Sequence, residues 1–291
     1  MRKISLIPKS FAIAYQPNLN RAIDEARKIV NFLHDQGVQH VNEASIHEEE
    51  LSRKAQAGEF DLLIAVGGDG TMLRAGRFFG PAKLPILGIN LGNFGFLIEV
   101  QIDEWQEAIS KVLLGDFRIE ERMMLKIEHL RNNEVLESWE ALNEIVICRG
   151  QIVRPIRLKA SVDGYTLASY VADGLIIATP TGSTAYSLAA GGPILPPELR
   201  NLLIIPVAPH LSVDRAVILS EGACVTVQSY TEHEAVLSVD GQPPVFLQDG
   251  DIVRASASQN LVSFVRMQDP GYFYRNLMAY MEQNPSTGGM K

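Results

Sequence analysis

The apolar pattern of residues 4–7 predicts a short first strand. Residues 18–36 carry Ala22, Ile23, Ala26, Ile29, Val30 and Leu33 on one stripe, the spacing of an amphipathic helix, and Gly37 stops it. A second short strand is expected over 38–41, and Glu48, Glu49 and Glu50 then read as a solvated loop or helix face. Residues 62–66 form a continuous apolar run of strand length, with a helix to follow over 71–79. A further buried run over 84–90 leads into Leu91-Gly-Asn-Phe-Gly-Phe96, and residues 102–114 close this half as a helix. Such alternation of strand, loop and helix predicts a parallel sheet with its ligand loops on one edge.

From about Arg122 the period changes to two. Strands are expected over 123–130, 135–142, 145–148, 156–162, 165–171, 175–178, 202–207, 217–219, 223–229, 235–239, 252–255 and 261–266, with a short helix at 184–190. Asp163-Gly164 and Asp240-Gly241 are tight-turn signals, and Arg131-Asn-Asn-Glu134 is a polar turn. Residues 271–281 regain helical spacing, and 284–291 form a polar tail. The fold expected is α/β plus all-β: a parallel-sheet α/β domain over 1–122 and 262–291, and a β-sandwich-like domain over 123–261.

Composition narrows the functions. A net charge of −8 and a pI near 5.3 provide no global basic field for nucleic acid or an anionic membrane, so a phosphate ligand must be met locally. No apolar run reaches the ~18 residues that span a bilayer, and the first residues lack a signal-peptide pattern. Cys148 and Cys224 sit far apart in strand-like runs without zinc spacing, so a cytoplasmic location is expected.

The densest chemistry lies at Gly67-Gly68-Asp69-Gly70-Thr71, where a buried strand breaks into a helix. Glycines there let an anion approach bare amides, and Asp69 stands at the carboxyl end of a strand. Arg74 follows one turn later. Asn143 and Glu144 interrupt two apolar strand runs, a placement suited to hydrogen bonds with a nucleoside. Asp173-Gly174 and Thr179-Pro-Thr-Gly-Ser-Thr-Ala-Tyr-Ser187, with Gly191-Gly-Pro193, offer hydroxyls and amides dense enough to cradle a phosphate or ribose. Arg77, Arg154 and Arg157 are further cations beside these loops, and His210 is the histidine in a loop context. Walker, Rossmann, protein-kinase and nucleophile-elbow motifs are absent. Phosphoryl transfer fits what remains, since it needs positioning, a divalent ion and a carboxylate to take a hydroxyl proton.

These motifs, in this order and spacing, resemble NAD kinases of the bacterial type. The Gly-Gly-Asp-Gly-Thr element also resembles diacylglycerol and sphingosine kinases, and the long Thr-Pro-Thr-Gly-Ser-Thr-Ala-Tyr run separates the families. The resemblance implies ATP-dependent, Mg²⁺-requiring phosphorylation of the 2′-hydroxyl of the adenosine ribose of NAD, with a C-terminal segment that returns to the first domain. It implies Asp69 as base, with Gly67, Gly68 and Thr71 in the phosphate loop and no protein side chain assigned to metal. It further implies NAD contacts from Asp69, Gly70, Arg74, Asn143, Glu144, Arg154, Asp173, Thr184, Ala185, Tyr186, Ser187, Leu188, Ala189 and Gln242. Family members are homodimers or homotetramers, so an oligomer is expected. Two other readings stand beside it: a lipid kinase of the diacylglycerol type, and a regulator that binds nucleotide without catalysis.

Overall fold

The computed structural model describes residues 7–92, 95–210, 213–230 and 233–283, with side chains through residue 279. The chain divides into two compact units, Met1–Arg122 with Asn260–Lys291, and Met123–Gln259. The first is an α/β unit on a parallel sheet; the second is mostly antiparallel β.

The first unit runs β1 (Ser10–Tyr15), α1 (Asn20–Asp35), β2 (His40–Ser45), α2 (Glu49–Gln56), β3 (Leu62–Gly67), α3 (Asp69–Phe79), β4 (Ile86–Asn90), β5 (Val100–Gln101) and α4 (Trp105–Leu113). Parallel pairing sets the strand order β2-β1-β3-β4, with β5 on β4. Helices cover both faces because both faces are apolar: β3 and β4 are buried at every position. Ala22, Ala26, Ile29 and Leu33 of α1 share one core with Trp105, Ile109 and Val112 of α4 and alternate residues Phe11, Ile13, Leu62, Ile64 and Val66. Phe32 and Trp105 meet edge to face at 5.4 Å. No side chain caps α1 at Leu19, an omission worth about 1 kcal/mol. Each large apolar side chain buried on the stripe contributes about 1.5–3 kcal/mol, so packing decides that the helix forms.

Several elements differ from the sequence expectation. Of the strand expected over 4–7, residues 4–6 lie outside the described residues, and the observed first strand begins at Ser10. Asp61 sets that start: its Oδ2 accepts the amides of Lys9 and Ser10 at 2.8 and 3.0 Å, tying β1 to the beginning of β3. The second strand lies at His40–Ser45, later than 38–41, and the acidic residues open α2, where Glu49 and Glu50 sit at the positive end of the helix.

The second unit starts within β6 (Arg118–Arg131), which turns at Asn132-Asn133 into β7 (Glu134–Ala141). Then come β8 (Glu144–Arg149), β9 (Ile156–Val162), β10 (Tyr165–Ala172), β11 (Gly174–Ala178), a 3-10 turn (Thr181–Thr184) and the short α5 (Tyr186–Ala189). β12 (Asn201–Val207), β13 (Val217–Ser220), β14 (Val225–Tyr230), β15 (Ala235–Val239), β16 (Val245–Leu247), β17 (Ile252–Arg266) and α6 (Tyr272–Gln283) follow among the described residues. One antiparallel sheet has the order β13-β12-β11-β8-β15-β16; β10, β9, β14 and the start of β17 pair antiparallel in another. Residues 252–255 and 261–266 are one unbroken strand, and the end of it, from Asn260, belongs to the first unit, where Phe264 stands opposite Ile86. Positive φ at Asn132 and Asn133, and at Asp163 and Gly164, marks two-residue hairpin turns whose backbone matches strand twist, and Asp240 and Gly241 take positive φ in the longer β15–β16 connection.

Asp251 anchors this unit. Its carboxylate accepts Arg131 Nε and Nη2 at 2.9 Å each, meets His129 Nε2 at 2.8 Å and accepts the Gln248 amide at 2.8 Å. Burial alone would raise its pKa, but Arg131, the amide and His129 together hold it down to about 2. A carboxyl depressed in the folded state stabilises above the ordinary carboxylate range, and that stability is lost as pH falls toward 2. Asp251→Asn should therefore cost on the order of 2 kcal/mol at pH 7, with the gap to wild type closing as the pH falls below 4. Urea denaturation across that range checks this, and a gap independent of pH would contradict it.

Candidate active site

In the first unit, Asp69 is the first residue of α3, two residues earlier than the expected helix start at Thr71. The N-cap is Gly68, with no side-chain cap; the Thr71 amide donates to the Gly68 carbonyl at 2.8 Å, and the positive start of the helix suits an anion. The glycines divide the work by space rather than by torsion, since none of Gly67, Gly68 and Gly70 takes positive φ. A Cβ at Gly67 would overlap the side chain of buried Thr71, so this pair joins strand to helix. Gly68 and Gly70 face open space. Arg74 is half-buried one turn on, and Arg77 stacks over Phe78 at 4.7 Å.

The second glycine loop holds the carboxylate. Phe96 N–H donates to Asp69 Oδ2 at 2.8 Å and Leu97 N–H to Oδ1 at 3.3 Å. A Cβ at Gly95 would overlap the carboxylate, so only glycine leaves room for it there. Asn93 and Phe94 lie outside the described residues. Burial raises the pKa of Asp69; the Phe96 and Leu97 amides, then Arg266 and Arg122, oppose it, and the net direction is upward. The carboxylate is thus a stronger proton acceptor than an ordinary aspartate, with lone pairs left beyond its two amide bonds.

In the second unit, Leu142, Asn143 and Glu144 stand where β8 begins, and Asp240 fixes them. Asp240 Oδ2 accepts the Leu142 amide at 2.7 Å, and Oδ1 accepts those of Asn143 and Glu144 at 2.9 and 3.1 Å. The 3-10 turn packs onto the same segment: a Cβ at Gly182 would overlap the Asn143 carbonyl, Thr179 N–H donates to that carbonyl at 2.8 Å, and Thr179 Oγ1 donates to Leu142 O at 2.6 Å. Ser183 Oγ donates to Pro180 O and accepts the Leu195 amide at 2.9 Å, while Thr184 Oγ1 donates to Thr181 O. These hydroxyls, expected to meet a ligand, mainly build the turn. Ala185 and Leu188 are half-buried, and Tyr186 and Ala189 are exposed on α5.

Burial, reinforced by Asp240, pushes the Glu144 carboxyl up to about 8 against the lowering effect of the Tyr186 amide. Buried side-chain atoms without a hydrogen-bond partner include Glu144 Oε2, Ser187 Oγ and Gln242 Nε2. A buried polar atom left unpaired costs ~1–3 kcal/mol, and these three atoms on candidate residues have bonding capacity to offer a ligand, as do Gln16 Oε1, His129 Nδ1, Arg149 Nε and Tyr170 Oη elsewhere. Asp173 lies 3.3 Å from Arg149 Nε. Arg154 is exposed with Nη1 3.5 Å from His233 Nε2, and Arg157 and His210 are exposed.

Sequence reasoning treated Asp240 only as a turn residue and did not single out Gly95, Phe96 or Leu97 as partners of Asp69. The signal for the first was an aspartate followed by glycine after an apolar strand; for the second it was the glycine loop at 91–96.

Residues 11–117 match the ATP-NAD kinase N-terminal domain and residues 142–267 match the ATP-NAD kinase C-terminal domain. The chain belongs to the ATP-NAD kinase family. The NAD kinase of Geobacter metallireducens is 39% identical over 250 residues, 86% of this chain and 87% of that protein. That of Chloroflexus aurantiacus strain J-10-fl is 36% identical over 94% of this chain and 98% of its own length. An NAD kinase from Archaeoglobus fulgidus solved in complex with ATP superposes with a TM-score of 0.73 at 25% identity, covering 97% of this chain and all of that one. The yeast NADH kinase complexed with NADH shares the fold, with a TM-score of 0.83 at 24% identity over 95% of this chain and 89% of that one. The lipid-kinase alternative gains no support from these likenesses.

Glu144 offers a test that needs no substrate. A carboxyl raised to about 8 in the folded state stabilises relative to the unfolded chain below the ordinary glutamate range and loses that advantage as pH rises toward 8. Glu144→Gln, which resembles the protonated form, should match wild type near pH 5 and become the more stable of the two by pH 8. Denaturation curves at both pH values decide it; a difference that does not grow with pH would remove the claim that Glu144 is neutral.

Proposed function

We propose that this chain transfers the γ-phosphate of ATP to the 2′-hydroxyl of the adenosine ribose of NAD, giving NADP and ADP. The observation that carries the reading is the Asp69 carboxylate, buried enough to be basic and held by two amides at the start of a helix flanked by open glycines. In the proposed step the 2′-hydroxyl gives its proton to Asp69 as its oxygen bonds to the γ-phosphorus, and the bond from that phosphorus to the ADP oxygen breaks. The helix amides and the open Gly68 and Gly70 receive phosphate, and Arg74 lies one turn away to offset its charge. Asn143, Glu144, Asp173, Gln242 and residues 184–189 orient NAD. Protonated Glu144 donates one hydrogen bond from Oε2, the atom left unpaired within the protein. Arg154 makes an outer contact.

Among the described residues no cluster of three or more His, Cys, Asp or Glu side chains could hold a metal ion. Mg²⁺ would enter with the triphosphate rather than on protein side chains and would supply charge neutralisation at the transferred group. The free thiols Cys148 and Cys224 support a reducing, cytoplasmic setting. The expected homodimer or homotetramer is supported by β10, an edge strand with exposed Tyr165 and Leu167.

Purified protein given NAD, ATP and Mg²⁺ should form NADP, and Asp69→Asn should lower kcat ~10²–10⁴-fold while NAD still binds. No NADP from the wild type would overturn the reading; wild-type turnover by Asp69→Asn would overturn the role of Asp69. Light scattering on the same sample should report a dimer or tetramer mass, and a monomer at working concentration would remove the assembly.

A further inference from the structure

Behind the loop that clasps Asp69 lies a buried cluster of charge that phosphoryl transfer has not so far used. Arg266 closes β17, and Arg118, Glu120 and Arg122 lie on the first residues of β6, all within the first unit. Arg266 and Arg122 are each 4% exposed. Glu120 Oε1 accepts Arg266 Nε at 3.0 Å and Arg122 Nε at 2.8 Å, and Oε2 accepts Arg118 Nη1 at 3.2 Å. Glu99 Oε1 stands 3.7 Å from Arg266 Nε and 3.6 Å from Arg118 Nη2. Both Arg266 and Arg122 also lie over the Phe264 ring, at 5.1 and 5.8 Å, which fixes the guanidinium planes.

One hydrogen bond joins this cluster to the site. Arg266 Nη1 donates to the carbonyl of Leu97 at 2.7 Å, and the N–H of Leu97 donates to Asp69. The same residue is thus held by its carbonyl and holds by its amide. We propose that Arg266 is a positioning residue for phosphoryl transfer, locked by Glu120 and fixing through Leu97 the loop that aims the Asp69 carboxylate.

The inference rests on Asp69 as the proton acceptor. Charge adds to geometry. Three guanidiniums, of Arg118, Arg122 and Arg266, face two carboxylates, of Glu99 and Glu120. Two of these cations, Arg266 and Arg122, also act on Asp69 and favour its charged form. The charged groups that act on Asp69 are Arg266 from β17 and Arg122 from β6; Glu120 and Arg118 of β6 and Glu99 pair with these arginines, and Arg74 lies on α3 itself. Arg266 and Arg122 work against the burial that raises Asp69, and Glu120, bound by three arginines, remains ionised with its carboxyl at about 2.

The test is the pH profile of kcat/KM for NADP formation by the full chain, with denaturation curves to keep each variant in its folded range. Arg266→Gln should lower kcat about tenfold or more with a smaller change in the KM for NAD, because aim rather than binding is lost. It should also move the acid limb of the profile to higher pH, as Asp69 loses a favourable cation. Glu120→Gln removes an anion from the cluster and should move that limb the opposite way. Arg266→Lys keeps the charge without the fork, so the limb should stay near wild type while kcat falls. Loss of stability alone would not move the limb in opposite directions. An unshifted limb in Arg266→Gln and Glu120→Gln, or wild-type kcat in Arg266→Gln, would overturn the inference; if Arg266→Gln does not fold, wild-type kcat in Arg266→Lys would do so. Should Asp69→Asn keep full turnover, the fault lies with the reading of Asp69; an inactive Asp69→Asn beside an indifferent Arg266→Gln faults only this inference.

Discussion

A carboxylate drawn out of water tends to lose its charge, and the surroundings of Asp69 in the first unit work against that loss. Burial raises Asp69, while two amides and two nearby guanidiniums keep the charged form within reach. Each partner comes from a different element: the helix start sets the side chain, residues 95–97 supply the amides, and β6 and β17 supply the cations. The parallel sheet brings them together because β3 and β4 end side by side, with the Leu91 amide donating to the Gly67 carbonyl at 3.0 Å.

The second unit treats its carboxyl in the opposite way. Glu144 has an anion, Asp240, as its electrostatic neighbour, and burial and repulsion act in the same direction. Asp69 is raised against opposing cations, whereas Glu144 is raised with an anion beside it. Environments that push two carboxyls toward different roles are a mark of acid-base and hydrogen-bonding sites, where a neutral acid serves as donor to a ligand. Asp240 also orders the segment, since its oxygens accept the amides of Leu142, Asn143 and Glu144.

Local signals were legible in the sequence and distant ones were not. The α/β-then-β order, the stripe of α1, the tight turns at Asp163-Gly164 and Asp240-Gly241, and the β15 span all follow from period and turn chemistry. The strand at Ser10–Tyr15 was not expected from the sequence, and the tie from Asp61 that begins it is made 51 positions away. Asp69, Asn143 and Glu144 stood out because each breaks an apolar run. Arg266 carried no such mark: a single arginine at a strand end is ordinary, and its partner Leu97 is 169 positions distant.

Glycine shows the same division between what sequence and structure reveal. A run such as Gly67-Gly68-Asp69-Gly70 invites an explanation by unusual torsion, yet these residues keep negative φ, and two of them are simply open. Where glycine is indispensable, at Gly95 against Asp69 and at Gly182 against the Asn143 carbonyl, the need is for missing volume. Both positions set a backbone segment against a polar group of the candidate site. The motif therefore marks the site by composition, while its geometry depends on glycines made necessary by what lies next to them in space, the Asp69 carboxylate and the Asn143 carbonyl.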